Sequence, residues 1–226
     1  MPSTLTRFLG RLSVGRKLLL IFLLDMSAVI YISGILVNEK YLAINFARKE
    51  LAGNAYISGL HDAMLASAAV PPAPLPASAL AAVERSEQQW GEGMVSRDAS
   101  HAYRQALDAL QVQAGPAQAQ AALKLGRDLV TRVGNQSNLI LDPDLDSYYT
   151  MSLTVLRLPE LLEALSDLSA HALAQPLGQG DASAQTRHLL LEGRLESGWR
   201  ATVSDYDEAF AAGQPALRQQ LQPSRQ

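Results

Sequence analysis

LLLIFLLDMSAVIYISGILV, residues 18–37, is an apolar run interrupted by one charge, Asp25. At about 1.5 Å of rise per residue, a helix of roughly twenty residues covers the ~30 Å hydrocarbon core of a bilayer. The flanks orient it. Arg7, Arg11, Arg16 and Lys17 precede it with no acidic residue among the first seventeen, and Glu39 and Lys40 follow and cancel. The positive-inside bias therefore places residues 1–17 in the cytoplasm, the span at 18–37, and residues 38–226 across the membrane. A cleaved signal peptide would need a shorter apolar core and a small-x-small cleavage site. A cut after Ala28 would put Met26 at the minus-three position, and a cut after Gly34 would put Ile32 there. The run is read as an uncleaved anchor.

Asp25 has two readings. A carboxylate inside a span costs about 2.5–3.5 kcal/mol on insertion scales. It either makes a polar contact with a partner helix or is a protonated or snorkelling side chain.

The charges are unevenly divided. Of 19 basic and 22 acidic residues, four basic ones precede the span, and 15 basic and 21 acidic ones follow it. A mildly acidic exterior lacks the basic patch that nucleic-acid binding needs, so no nucleic-acid partner is expected. There is no cysteine, which removes disulfides, Cys-ligated zinc and thiol chemistry from the possibilities. Ala, Leu, Gln, Arg and Glu dominate and no period-two run of strand length occurs, so helix is favoured over sheet.

Residues 5–17 place Leu5, Phe8, Leu9 and Leu12 on one helical face among arginines, as a juxtamembrane segment on an anionic leaflet would. No proline occurs between Pro2 and Pro71, so the span is predicted to continue as one helix to about Ala69, with Leu42, Phe46, Leu51, Ala55 and Leu60 roughly in helical register. Pro71, Pro72, Pro74 and Pro76 end it in an extended segment. A second helix is predicted from about Ser78 to Gln113, broken or weakened near Gly91-Glu92-Gly93. Pro116 opens a third, with the stripe Ala122, Leu125, Leu129, Val133.

A fourth helix is expected to start at Asp142 as N-cap with Pro143 at its first position, burying Leu145, Tyr149, Leu153, Leu156, Leu162, Leu165, Leu168 and Ala172, with Pro159 as the site for a kink. Residues 175–183 form a loop, and a fifth helix runs from about Ala184 to Ala212. Long helices joined by short proline or glycine connections predict an all-α, up-and-down bundle continuous with the transmembrane helix.

The chemistry-bearing motifs are sparse. Asp142, Asp144 and Asp146 sit at positions 1, 3 and 5 of an EF-hand-like loop, but Ser147 stands where glycine is needed and Leu153 where glutamate is needed. Helix capping explains the same residues without a metal. His61, His101, His171 and His188 form no HxxxH or HExxH pair, and there is no GxSxG, P-loop or GxGxxG. No metal, no cofactor and no enzymatic activity are expected.

The candidate ligand-binding residues are polar groups on otherwise apolar helices: Arg127 and Arg132 on the third, and Arg157, with Tyr148 and Tyr149, on the fourth. An arginine in a bundle groove can hold a small anion bidentately. Its plainer role is to pair with Asp128, Glu160 or Glu163 at the surface. Trp90 and Trp199 read as packing residues.

The stretch GNQSNLILDPDLDSYYTMSLTVLRLPELLE, residues 134–163, resembles a segment recurrent in the extracytoplasmic regions of bacterial methyl-accepting chemotaxis proteins, sensor histidine kinases and diguanylate cyclases. LSVGRKLLLIF, residues 12–22, looks like their usual approach to the first span. The resemblance implies a periplasmic helical sensor in the inner membrane, homodimeric through its bundle, that binds a small ligand, for which the arginines make an anion the expected class. It marks Asn135, Asn138, Asp142, Asp144, Asp146, Tyr148 and Tyr149 as the family-like core of the domain, structural rather than ligand-binding.

Such receptors continue into a second span, a HAMP linker and an output domain. After Val37 nothing is apolar enough to return through the membrane, and Gln226 falls inside what should be the bundle. The expectation is therefore a ligand-sensing input module in fragmentary or truncated form. A single-span, membrane-anchored periplasmic binding or scaffold protein is the alternative.

Overall fold

The structure, a computed structural model, describes residues 13–141, 145–175 and 181–213. Among these residues the chain is all-α, without a strand. Two compact units divide at Arg48 and Lys49.

Helix α1, Val14–Ser67, is a single helix of 54 residues. Nothing in its sequence breaks it, and proline first appears beyond its end. Its segment in the first unit carries the apolar run, whose side chains are exposed throughout, as at Leu18, Ile30 and Val37. Among the described residues it is the one helix long and apolar enough to cross a membrane.

The second unit is the helical bundle. Gly53, Tyr56, Ile57, Leu60, Ala63, Met64 and Ser67 of α1 are buried in it, spaced at three and four residues. This corrects the expected register, because Leu51 is exposed and Ala55 faces outward with it. The inward face mixes the small residues Gly53, Ala63 and Ser67 with Tyr56, Ile57, Leu60 and Met64.

After α1 the proline-rich segment, residues 68–76, has no regular secondary structure. Leu75 is buried there, and the Gln111 side chain holds it at both backbone groups: Leu75 N–H donates to Oε1 at 2.7 Å and Nε2 donates to the Leu75 carbonyl at 3.1 Å. Helices α2, Ala77–Met94, and α3, Arg97–Val112, divide the segment expected to be broken or weakened near residues 91–93. The break is at Val95-Ser96, not within the glycines. Val95 adopts φ 50° and ψ 42°, and the amides of Val95 and Ser96 cap the carbonyls of Glu92 and Gly91. This is the Schellman ending of a helix with valine where glycine is usual.

Helix α4, Pro116–Gln136, begins at its proline as expected and buries Ala122, Leu129 and Val133, with Leu125 half-buried. A short 3₁₀ turn, Leu139–Leu141, follows Asn138, which stands at φ 66°. The proposed capping by Asp142 and Pro143 lies outside the described residues.

Helix α5, Leu145–Met151, passes through a π-helical turn, Ser152–Arg157, into α6, Leu158–Ala174. Leu158 N–H reaches back five residues to the Leu153 carbonyl. Pro159 has no N–H for the Val155 carbonyl and its ring crowds that turn, so the extra residue is accommodated just before it. The wider turn resets the buried face. Leu153 and Leu162 are buried as expected, whereas Leu145, Leu165 and Ala172 are exposed, and Glu163, Ala164 and Ser166 face inward.

Helix α7, Ala182–Ala212, starts two residues earlier than expected. Asp181 caps it, its Oδ1 accepting the Ala184 amide at 2.9 Å. Trp90 packs against the core, but Trp199 on α7 is exposed, contrary to its expected packing role.

Candidate functional site

The bundle brings α4, α6 and α7 around one polar groove of about 330 Å³. Arg127 reaches it from α4, Glu160 and Ala164 from α6, Arg157 from the π turn, and Arg194, Gly198 and Ala201 from α7. Residues 160, 164 and 167 follow helical spacing on α6, as do 194, 198, 201 and 205 on α7. Gly198 lets the two helices approach, since a Cβ there would lie 3.1 Å from Leu161 Cδ2.

Glu163 is the centre of a charge network beneath this groove. Its Oε2 receives Arg127 Nη1 at 2.9 Å and Arg194 Nη2 at 3.4 Å. Arg194 Nη1 also reaches Asp167 Oδ2 at 2.7 Å, and Gln120 Nε2 donates to Asp167 Oδ1 at 2.9 Å. Glu163 is 9% exposed, and its Oε1 is buried without a hydrogen-bond partner. Burial pushes its carboxyl above the usual range, and the two arginines offset that only in part.

A second anchor adjoins the first. Asp205 of α7 is buried, and its Oδ2 accepts Ser152 Oγ at 2.6 Å and Arg157 Nε at 2.8 Å. Arg157 Nη1 also lies 3.6 Å from Glu160. The π turn makes this possible. In an α-helix, residues five apart point roughly 140° away from each other, while five-residue hydrogen bonding brings 152 and 157 to one side. The hydrogen bond to Asp205, more than any other influence, raises the Arg157 pKa and keeps it charged.

The structure thus gathers two of the three candidate arginines, Arg127 and Arg157. It pairs them with the carboxylates Glu163 and Glu160 anticipated for them, and with Asp205, which was not. Arg132 lies elsewhere, lining a groove of about 1020 Å³ with Glu87, Arg97, His101 and Arg104, and donating from Nε to the Val95 carbonyl at 3.2 Å. Tyr148 and Tyr149 meet edge-to-face at 5.4 Å on α5 and do not line the arginine groove.

Asn135 is exposed on α4. Asn138 occupies the left-handed region that asparagine tolerates better than most residues, which gives it a backbone role. Asp142 and Asp144 lie outside the described residues, as does the side chain of Asp146 in α5. Asp25 is exposed in the first unit.

In the sequence Glu163 is legible only as a pairing acid, and Arg194 and Asp205 are not legible as site residues at all. Arg194 and Asp205 sit on a helix whose sequence shows no strong apolar stripe to orient them. Glu163 reads in sequence as one more surface acid. Among the described residues no group of three His, Asp or Glu is placed to hold a metal ion. Compared with protein-family models, with curated proteins and with solved structures, the chain matches none.

Proposed function

We propose that this chain is the extracytoplasmic ligand-sensing input module of a bacterial transmembrane receptor of the chemoreceptor or sensor-kinase type. Residues 1–17 are cytoplasmic, α1 crosses the inner membrane, and the bundle is periplasmic. The observation that carries this reading is α1 itself. The helix that exposes the apolar run at 18–37 also supplies Gly53, Tyr56, Leu60 and Met64 to the bundle. A helix packed in a binding domain and continuous with a span is a mechanical link between ligand and membrane.

The ligand site in this reading is the α4–α6–α7 groove. Its two clamps, Glu163 with Arg127 and Arg194, and Asp205 with Ser152 and Arg157, tie three helical segments together. A ligand that competes for those arginines loosens the clamps, and α4 carries the change to α1 where Ser137 meets Gly53. Coupling of this kind needs a ligand with different affinities for the two arrangements.

Two experiments test the proposal. Because the chain has no cysteine, single cysteines at Ser13 and Ser58 can report sidedness. In intact cells an impermeant thiol reagent should label Ser58→Cys after outer-membrane permeabilisation, and Ser13→Cys only after lysis. In a receptor chimera containing residues 1–226, inserting two prolines after Asn45 should abolish the response while leaving ligand binding intact. An unchanged response would overturn the signalling role. Binding with no response in the uninterrupted chimera would favour an anchored binding protein instead.

A further inference from the structure

The arginine groove is not cationic at rest. Arg127, Arg157 and Arg194 are matched there against Glu160, Glu163, Asp167 and Asp205, one acid more than the bases. An anion entering alone would add a further negative charge to a half-buried cluster, where like charges repel strongly. An anion that brings a proton would not.

Glu163 is the group placed to take that proton. It is 9% exposed, its Oε2 holds both Arg127 and Arg194, and its Oε1 is buried with no hydrogen-bond partner. Proton binding to this carboxylate removes the competing charge and supplies an O–H donor where an unsatisfied acceptor now stands. The charged groups acting on it are Arg127 and Asp128 of α4, Asp167 of its own helix and Arg194 of α7. Arg157 and Glu160 border the same groove. Burial shifts the pKa of this carboxyl upward despite the arginines, which makes a proton easier to take up here than on an exposed carboxylate.

We infer that the groove binds a small carboxylate together with one proton: the ligand takes over Arg127 and Arg194, and Glu163 is protonated from solvent as it releases them. This rests on the reading of the groove as the ligand site. Only ion pairs exchange, and the one bond formed is O–H on Glu163, its proton drawn from water or buffer. The forked guanidinium groups of Arg127 and Arg194 match a carboxylate, and about 330 Å³ accommodates a molecule of a few carbons.

The test is calorimetric titration of the full chain in nanodiscs with succinate, at one neutral pH in two buffers of different ionisation enthalpy. The observed heat should differ between buffers by the amount that about one proton taken up per bound ligand requires. Glu163→Gln, checked for helicity, should bind about tenfold more tightly, the equivalent of removing roughly 1.4 kcal/mol of competition, and should lose the buffer dependence. Arg127→Gln should weaken binding at least tenfold.

Succinate binding with the same heat in both buffers would overturn the proton coupling and leave the groove as the ligand site. Failure of both the unaltered protein and Glu163→Gln to bind succinate would overturn the coupling and the groove reading together. Inorganic phosphate binding as tightly as succinate would overturn the carboxylate assignment.

Discussion

Gly53 on α1 and Ser137 at the end of α4 are in such close contact that a Cβ at position 53 would fall 2.1 Å from the Ser137 Cβ. No side chain fits between them, so Gly53→Ala must push one of these segments away. We expect a loss of about 2 kcal/mol, within the usual range for overpacking a core. Ser137→Gly in the same background should restore part of it. Urea titration followed by Trp90 fluorescence, with Trp199 replaced by phenylalanine, reads the bundle without the transmembrane segment. An unshifted midpoint for Gly53→Ala would mean the two helices are not held this closely.

Tyr56 of α1 and Glu87 of α2 form a part-buried polar contact. The Tyr56 hydroxyl donates to Glu87 Oε2 at 2.5 Å, and Ser96 Oγ donates to the same oxygen at 2.8 Å. Burial, and then the Glu87 bond, raise the Tyr56 pKa and keep the ring a phenol donor. Tyr56→Phe should cost about 1.5–3 kcal/mol, as expected for a hydrogen bond to a charged group. A double-mutant cycle with Glu87→Gln should return a coupling of about 1 kcal/mol or more. Additive effects would show that the contact contributes little.

Val95 is a β-branched residue held in the left-handed region where α2 ends. That backbone costs an L-residue about 1–2 kcal/mol, and its exposed side chain recovers little packing in return. Val95→Gly removes the strain but adds about 0.5–1 kcal/mol of unfolded-chain entropy. The expected net is a stabilisation of up to about 1 kcal/mol, seen as a higher urea midpoint at unchanged slope. A lower midpoint would show that the valine side chain packs usefully.

Glu163 sets a pH dependence of stability with a defined sign. Its folded-state pKa lies above the unfolded value, because burial outweighs Arg127 and Arg194. Its contribution is therefore fully present below the unfolded pKa and is lost as pH rises through the folded one. His61 acts oppositely, since burial holds its imidazole below the ordinary value and acid must charge it. Melting temperatures of the unaltered protein and Glu163→Gln, compared from about pH 4 to neutrality, should separate these. The gap should widen in favour of Glu163→Gln as pH rises. A gap that stays constant or reverses would show that the arginine pairs outweigh burial.

The long-range plan of the helices was legible in the chain. The absence of proline between Pro2 and Pro71 predicts α1, Pro116 predicts the start of α4, and Gly213 predicts the end of α7. Each is a local backbone constraint, and local constraints are written in adjacent residues. The break at Val95 was placed a few residues early because the glycines drew attention, while the chain turns at a residue whose own preference opposes it.

The site was half legible. Arg127 and Arg157 stand out because charge on an apolar helix is conspicuous, and Glu163 is legible as a pairing acid, but Arg194 and Asp205 are not. Glu163 and Arg194 are 31 residues apart, and Ser152 and Asp205 are 53 apart. Only packing of α6 on α7 brings such pairs together. The π turn also shifts the face of α6 away from the 3.6-residue pattern by which a sequence is read.

By itself, then, the sequence determined that the chain is all-α, with one helix long and apolar enough to span a bilayer, because periodicity, proline placement and hydropathy act along the chain. The tertiary structure decided which face of each helix is inward and which carboxylate each arginine meets. Those depend on close approach at Gly53 and Gly198 and on one extra residue in a turn, and such sub-ångström to few-ångström relations have no signature in residue order.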